Sequence, residues 1–215
     1  MKRLQVKVCG MREADNILRV EALQPDYMGF ICWEGSRRYV AQPPAYLPTS
    51  CRRVGVFVRP EIGTVIERIR LLGLDAVQLH GGETPEFCRH IRQASLAEGQ
   101  TVEIIKAFSI APEQPFPSTK EYESVCDYFL FDTSCPTVGG SGQQFDWEIL
   151  RQYEGHTPFF LSGGIGPDSL EALRRFSHPR WAGVDLNSRF ELSPGVKDVE
   201  QLARLIHGLH EQNKV

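Results

Sequence analysis

The sequence has no excess of positive charge. Its 27 acidic residues face 24 basic ones, a formal net charge of −3 over 215 residues, so no overall cationic field exists to hold nucleic acid or an anionic membrane. Neither is expected as a partner, and a phosphate ligand would need local chemistry. Long apolar runs are missing too: the longest, such as Val54-Gly-Val-Phe-Val58 and Tyr128-Phe-Leu-Phe131, fall far short of the ~18 residues of a transmembrane helix. The start, Met1-Lys-Arg-Leu-Gln-Val-Lys-Val, has basic residues but no continuous apolar segment of the signal-peptide kind. A cytoplasmic location is expected. The six cysteines, at 9, 32, 51, 88, 126 and 135, contain no CxxC pair, and a chain of this size needs no disulfide staples. Reduced thiols are the expectation. His207 and His210 sit one helical turn apart with no third ligand near them in the sequence, so they read as a solvated helix face and no metal site is expected.

What is present is ordinary globular material, 41% hydrophobic and 24% charged, enough for a substantial core. Short β-rich runs at 5–9, 27–33, 53–59, 76–80, 103–108, 128–133, 158–162 and 182–187 alternate with helical patterns at 13–23, 61–72, 84–98, 145–153, 167–176 and 197–211. Two connections, 41–50 and 110–124, contain proline and carry weak helical patterns, so short or distorted helices are expected there. No Pro/Ser-rich linker or long charge block cuts the chain, which reads as a single domain over 1–215. Eight βα units of under ~30 residues each describe a small (β/α)8 barrel of the TIM type. An open doubly wound sheet has the same rhythm and is the alternative, because periodicity does not show closure.

Alternation within the strands separates two faces. Val6 and Val8, Val77 and Leu79, Phe129 and Phe131, and Val184 and Leu186 form one, while the other gathers Lys7, Cys9, Gln78, His80, Asp132, Asp185 and Asn187. If helices cover the apolar face, the polar set lines the barrel interior. There it is either a structural ion-pair layer, the natural reading for Lys7 and Asp185, or an active site. Cys9, His80, Asp132 and Asn187 stand at or near their strand ends, where such barrels place catalytic groups.

Three segments follow the late strands: Gly139-Gly140-Ser141-Gly142, Ser162-Gly163-Gly164-Ile165-Gly166, and Asn187-Ser188-Arg189. Each alone is most simply a turn. Glycines in consecutive late βα loops, with a helix start at Pro167-Asp168-Ser169, instead match a barrel phosphate site in which backbone N–H groups meet the anion. Gly140, Ser141, Gly142, Gly163, Gly164, Asn187 and Ser188 are the expected phosphate contacts.

Lys7-Val-Cys-Gly10, Gly29-Phe30 with Ser36-Arg-Arg-Tyr-Val40, Val77-Gln-Leu-His-Gly81, Phe131-Asp-Thr133, Gly139-Gly-Ser-Gly142 with Phe145-Asp-Trp147, Ser162-Gly-Gly-Ile165 and Gly183-Val-Asp185 occur in the order seen in phosphoribosylanthranilate isomerases. The chain resembles that family over nearly its whole length. The resemblance implies the Amadori rearrangement of N-(5-phosphoribosyl)anthranilate, a sugar-phosphate substrate, in tryptophan biosynthesis, with neither metal nor organic cofactor. It also implies Cys9 as the general base at the ribose C2′ and Asp132 as the general acid at the ring oxygen. The bland alternatives are a buried small residue and a loop cap. A thiol starts near ~8.5 and needs a modest downward shift to act as a base, whereas a carboxyl near ~3.9 must be raised to keep a proton.

By the same resemblance Arg38 holds the anthranilate carboxylate, which a guanidinium fork suits, with the adjacent Arg37 as the alternative. His80 and Asp185 line or orient the site, Asp185 alternatively balancing Lys7. The sequence departs from the family pattern at Arg12, at Cys32-Trp-Glu-Gly35 and at Asn187-Ser-Arg-Phe190, leaving Arg189 either a phosphate contact or an outward charge. Other sugar-phosphate barrels are the competing enzymes, an indole-glycerol-phosphate synthase-like lyase with strand-end lysines or a histidine-pathway isomerase with paired aspartates. A phosphate-binding barrel without catalysis is the non-enzyme alternative.

Overall fold

The computed structural model describes residues 3–111, 114–133 and 147–211. Gly140, Ser141 and Gly142, expected at the phosphate, lie outside the described residues. Eight parallel strands, β1 (Gln5–Cys9), β2 (Tyr27–Ile31), β3 (Arg52–Phe57), β4 (Ala76–Leu79), β5 (Glu103–Ile110), β6 (Tyr128–Thr133), β7 (Phe159–Ser162) and β8 (Trp181–Leu186), pair in chain order, and β8 returns to β1. The sheet is therefore a closed barrel and not an open doubly wound one. Closure runs through Gln5↔Gly183, Val6↔Val184 and Lys7↔Asp185. It needs glycine at 183, because a Cβ there would collide with the Gln5 carbonyl oxygen.

The two faces are sorted as the alternation requires. Val6, Val8, Val77, Leu79, Phe129, Phe131, Val184 and Leu186 are all fully buried in the layer between barrel and helices, each contributing about 1.5–3 kcal/mol of apolar burial. Inside the barrel a separate cluster of Tyr27, Val54, Ala76, Ile105, Leu130 and Phe160 fills the lower half, so the polar residues above it stand on a packed floor.

The helices among the described residues are α1 (Ala14–Glu21), α2 (Ile62–Leu72), α3 (Pro85–Ala97), α4 (Leu170–Arg175) and α5 (Val199–Glu211). In α3 the Thr84 side chain accepts from the Phe87 N–H, Pro85 occupies the first turn, and Cys88, Ile91 and Ser95 form the buried stripe. None of the described helices is long and apolar enough to cross a membrane. Two connections differ from the sequence expectation. The 41–50 segment forms no helix, since Pro43, Pro44 and Pro48 remove backbone donors. It is tied instead to Glu21, whose carboxylate accepts from Tyr46 Oη, from the Thr49 and Ser50 N–H groups and from Ser50 Oγ. The helix expected at 145–153 reduces to a 3₁₀ turn at Trp147–Gln152, whereas the 110–124 connection, expected to be short or distorted, has the 3₁₀ turn Lys120–Tyr122. After β8 an unexpected antiparallel hairpin forms from β9 (Glu191–Ser193) and β10 (Val196–Lys197), turned by Pro194 and Gly195, whose φ is 88°.

Candidate active site

The carboxyl ends of the strands enclose a cavity of about 170 Å³. Cys9, Gln78, His80, Asp132 and Asp185 line its barrel side, Ile31 and Val56 add apolar wall, and residues 162–165 and 187–189 form the rest. The sequence-predicted residues Cys9, His80, Asp132, Gly163, Gly164, Asp185, Asn187 and Ser188 thus meet in one place.

Cys9 ends β1 and is buried, 3% exposed. Its register partner on β2 is Gly29, where a Cβ would stand only 2.7 Å from Cys9 Sγ. Gly29 makes the space the thiol occupies. Lys7, two residues earlier on the same face, is fully buried and donates to Asp185 Oδ1 at 2.8 Å, while Asp185 Oδ2 lies 3.5 Å from Ser162 Oγ. Burial alone would lower the Lys7 pKa, but Asp185 and the neighbouring Cys9 raise it above the ordinary lysine value. The ion-pair and cavity-lining readings of Asp185 therefore both hold. The downward shift expected for Cys9 does not occur. Burial pushes the thiol up, and Lys7 and Lys197 only partly counter it, because a thiolate in a dry pocket loses more hydration than the flanking cations return.

Asp132, at the open end of β6, places Oδ2 3.3 Å from His80 Nε2. Gln78, two residues before His80 on the same barrel face, presents its amide Nε2 3.3 Å from His80 Nδ1. With that amide donating to Nδ1, the imidazole proton sits on Nε2 and points at Asp132. His80 thus lines the cavity in contact with Asp132. Gln78 was on the polar face but was given no part.

Beside Asp132, the turn after the neighbouring β7 forms the next part of the wall. Gly163 and Gly164 have φ of 86° and 68°, a region that favours glycine. A Cβ on Gly164 would meet no atom within 4 Å, so the backbone there is bare toward open space. The helix start behaves differently from expectation: Pro167–Ser169 is a 3₁₀ turn, and the Gly166 N–H is taken by Ser169 Oγ at 2.9 Å. That donor serves the turn. Arg189 lines the cavity and packs along Gly166, its Nε 3.1 Å from where a Cβ would stand. Arg189 is nonetheless exposed, at the rim of the cavity.

Arg38 is not among the cavity-lining residues. Its guanidinium is engaged by Glu191, with Nε 2.8 and 3.0 Å from the two carboxylate oxygens and Nη2 2.6 Å from Oε2. Arg37 is exposed, its carbonyl accepting from Arg12 Nη1 at 3.3 Å. Glu191 and Lys197, which sequence reasoning did not single out, complete this rim. Lys197 Nζ donates to Glu191 Oε1 and to Asn187 Oδ1, both at 2.8 Å. The available signal was the Pro194-Gly195 pair between an acid and a base, a hairpin turn that would pair them.

Comparison with known proteins agrees with this geometry. The family model described as N-(5'phosphoribosyl)anthranilate (PRA) isomerase matches residues 6–208. The N-(5'-phosphoribosyl)anthranilate isomerase of Phocaeicola vulgatus is 48% identical over 207 residues, covering 96% of this chain and 98% of that protein. The phosphoribosyl anthranilate isomerase structure from Thermus thermophilus is 30% identical with a TM-score of 0.78, covering 97% of this chain and 100% of that one. A further phosphoribosyl anthranilate isomerase structure, in complex with reduced 1-(o-carboxyphenylamino)-1-deoxyribulose 5-phosphate, is 27% identical with a TM-score of 0.73 and covers 96% and 98%. The match runs through every strand that contributes to the cavity, and this chain belongs to the N-(5'-phosphoribosyl)anthranilate isomerase family.

Proposed function

We propose that the cavity carries out the family's reaction through Cys9 and Asp132. The reaction is an aldose-ketose isomerisation, the Amadori rearrangement of N-(5'-phosphoribosyl)anthranilate to 1-(2-carboxyphenylamino)-1-deoxyribulose 5-phosphate in tryptophan biosynthesis. Asp132 gives its proton to the furanose ring oxygen as the C1′–O bond breaks, and the anilino nitrogen lone pair forms the C1′ iminium. Cys9, as thiolate, then takes the C2′ proton, and the released electron pair neutralises the iminium to an enolamine. Protonation at C1′ and loss of the C2′ hydroxyl proton give the ketone. Every step is a proton transfer, the task for which a positioned acid and base suit. The His80 contact to Oδ2 leaves Asp132 Oδ1 for the transferable proton. The iminium supplies a cation beside Cys9 at the step where the thiolate is needed, offsetting the burial that disfavours it.

The single observation that carries the reading is the shared cavity. Cys9 and Asp132 face it from β1 and β6, with the Gly163-Gly164 turn after β7 and Asn187-Ser188 after β8 forming the wall between them. In this reading that wall, with Gly140, Ser141 and Gly142, receives the phosphate, Arg38 meets the carboxylate, and residues 1–215 act as one catalytic domain. Pairing of β8 with β1 supports the last point, since the two ends of the strand series share one barrel. The test is the decay of anthranilate-type fluorescence when purified protein is added to the substrate. Decay is expected. Bound ligand without decay would favour a binding-only barrel.

A further inference from the structure

Arg38 crosses over Gly10 at the end of β1, so closely that a Cβ on Gly10 would lie 2.7 Å from Arg38 Cδ and 2.7 Å from Asn187 Oδ1. There its Nε and Nη2 are filled by the Glu191 carboxylate. A guanidinium has a second edge, formed by Nη1 and Nη2, that also matches a carboxylate. Among the described residues no acceptor takes Nη1. Glu191 is itself 4% exposed at its side chain and accepts from Lys197 Nζ at 2.8 Å and from the Gly195 N–H at 3.1 Å. Burial raises its pKa, but Arg38 and Lys197 outweigh that and hold the carboxyl down at about 2. Burial works against the Lys197 charge and lowers its pKa, yet two acceptors at 2.8 Å keep it a donor. One carboxylate is thus shared by two cations, and the rim keeps one net positive charge, whereas Lys7 and Asp185 deeper in the barrel cancel.

We infer that Glu191 is a positioning residue for carboxylate selectivity. By engaging Arg38 from behind it fixes the guanidinium plane, so that the Nη1 edge is presented to the substrate's anthranilate carboxylate. Lys197 has the complementary part: it divides the Glu191 charge, so that Arg38 remains attractive to a second anion. The β9–β10 hairpin is the element that delivers both groups, which gives this departure from an ordinary βα loop a purpose in recognition. The inference rests on the reading of Arg38 as the carboxylate ligand.

The experiment compares kcat/KM for the anthranilate substrate with that for an analogue carrying aniline in its place, in wild type, Arg38→Ala and Glu191→Gln, with thermal melting to confirm folding. Glu191→Gln is expected to lower the anthranilate-to-aniline ratio about tenfold, through KM, with kcat within about threefold and the aniline substrate little affected. Glu191→Asp keeps the charge but withdraws it by one methylene, and is expected to lose part of the ratio; it carries the test if the glutamine variant does not fold. A ratio unchanged in a folded Glu191 variant, while Arg38→Ala abolishes it, would overturn the inference and leave the Arg38 reading intact. A ratio retained in Arg38→Ala would overturn both.

Discussion

Gly29→Ala probes the placement of the base without replacing any titratable residue. The added Cβ would stand 2.7 Å from Cys9 Sγ, 3.2 Å from Cys9 Cα and 3.3 Å from Cys9 Cβ, against ordinary nonbonded separations of about 3.5–4.0 Å. The thiol must therefore retreat by roughly 1 Å, and the backbone of β1 by a few tenths. A misplacement of roughly 1 Å in a reacting group costs about 10²-fold in rate, on the order of 2.7 kcal/mol of transition-state stabilisation. The overpacking itself should cost about 1–3 kcal/mol of stability, a fall of several degrees in Tm for a domain of this size. The assay is steady-state turnover by fluorescence, beside the affinity for reduced 1-(o-carboxyphenylamino)-1-deoxyribulose 5-phosphate, which should stay within a few-fold because the phosphate and carboxylate walls are untouched. A folded Gly29→Ala enzyme with wild-type kcat would refute the assignment of Cys9 as the base.

Because burial raises the Cys9 pKa against Lys7 and Lys197, with Asp185 adding to the rise, the thiolate of the free enzyme gains population as pH increases, and alkylation of Cys9 by iodoacetamide, followed by peptide mass mapping, should be slow at neutral pH and accelerate through and beyond about pH 8.5; an alkylation rate already at its plateau below neutrality would contradict this. Gly164→Val, at a φ of 68°, should cost about 1–2 kcal/mol of stability, raise KM and weaken competitive inhibition by inorganic phosphate, and unchanged phosphate inhibition would put the anion elsewhere. Glu21 is raised by burial but held at about 2 by Tyr46, Ser50 and Thr49. Its contribution, on the order of 1–2 kcal/mol after solvent screening, is complete above its unfolded value near ~4.3 and lost as pH falls toward 2. Acid unfolding of Glu21→Gln should accordingly be less steep between those limits, and a superimposable acid transition would show that the clamp on the 41–50 segment adds nothing.

The eight strands were legible because each half-buried strand writes its two faces into alternate residues, as Val6 and Val8 against Lys7 and Cys9 show. Closure was not, since it depends on how nearly β8 approaches β1 at Gly183, a contact between residues 5 and 183 that no local window contains. The shortened connections at 145–153 and 41–50 escaped for opposite reasons: an apolar pattern around Trp147 and Leu150 suits a 3₁₀ turn as well as a helix, while the prolines near 43–48 gave warning of distortion but not of complete loss. In the site, strand-end position and residue type put Cys9 and Asp132 on the interior polar face, and the cavity holds both; their proton-transfer roles come from the resemblance. Glu191 and Lys197 were passed over because a charged residue in a loop reads as solvated, and only the tertiary approach of Arg38 and Asn187 buries them. The direction of the Cys9 shift failed for the same reason: sequence shows the neighbouring lysine but not the depth of the pocket.

The central claim is that Cys9 and Asp132 move the protons of one reaction, and turnover of Cys9→Ala and Asp132→Asn at matched affinity tests it most directly. Each variant should bind reduced 1-(o-carboxyphenylamino)-1-deoxyribulose 5-phosphate within a few-fold of wild type yet lose about 10² to 10⁴ in kcat. A near-wild-type rate in either one would remove that residue from the mechanism and contradict the account.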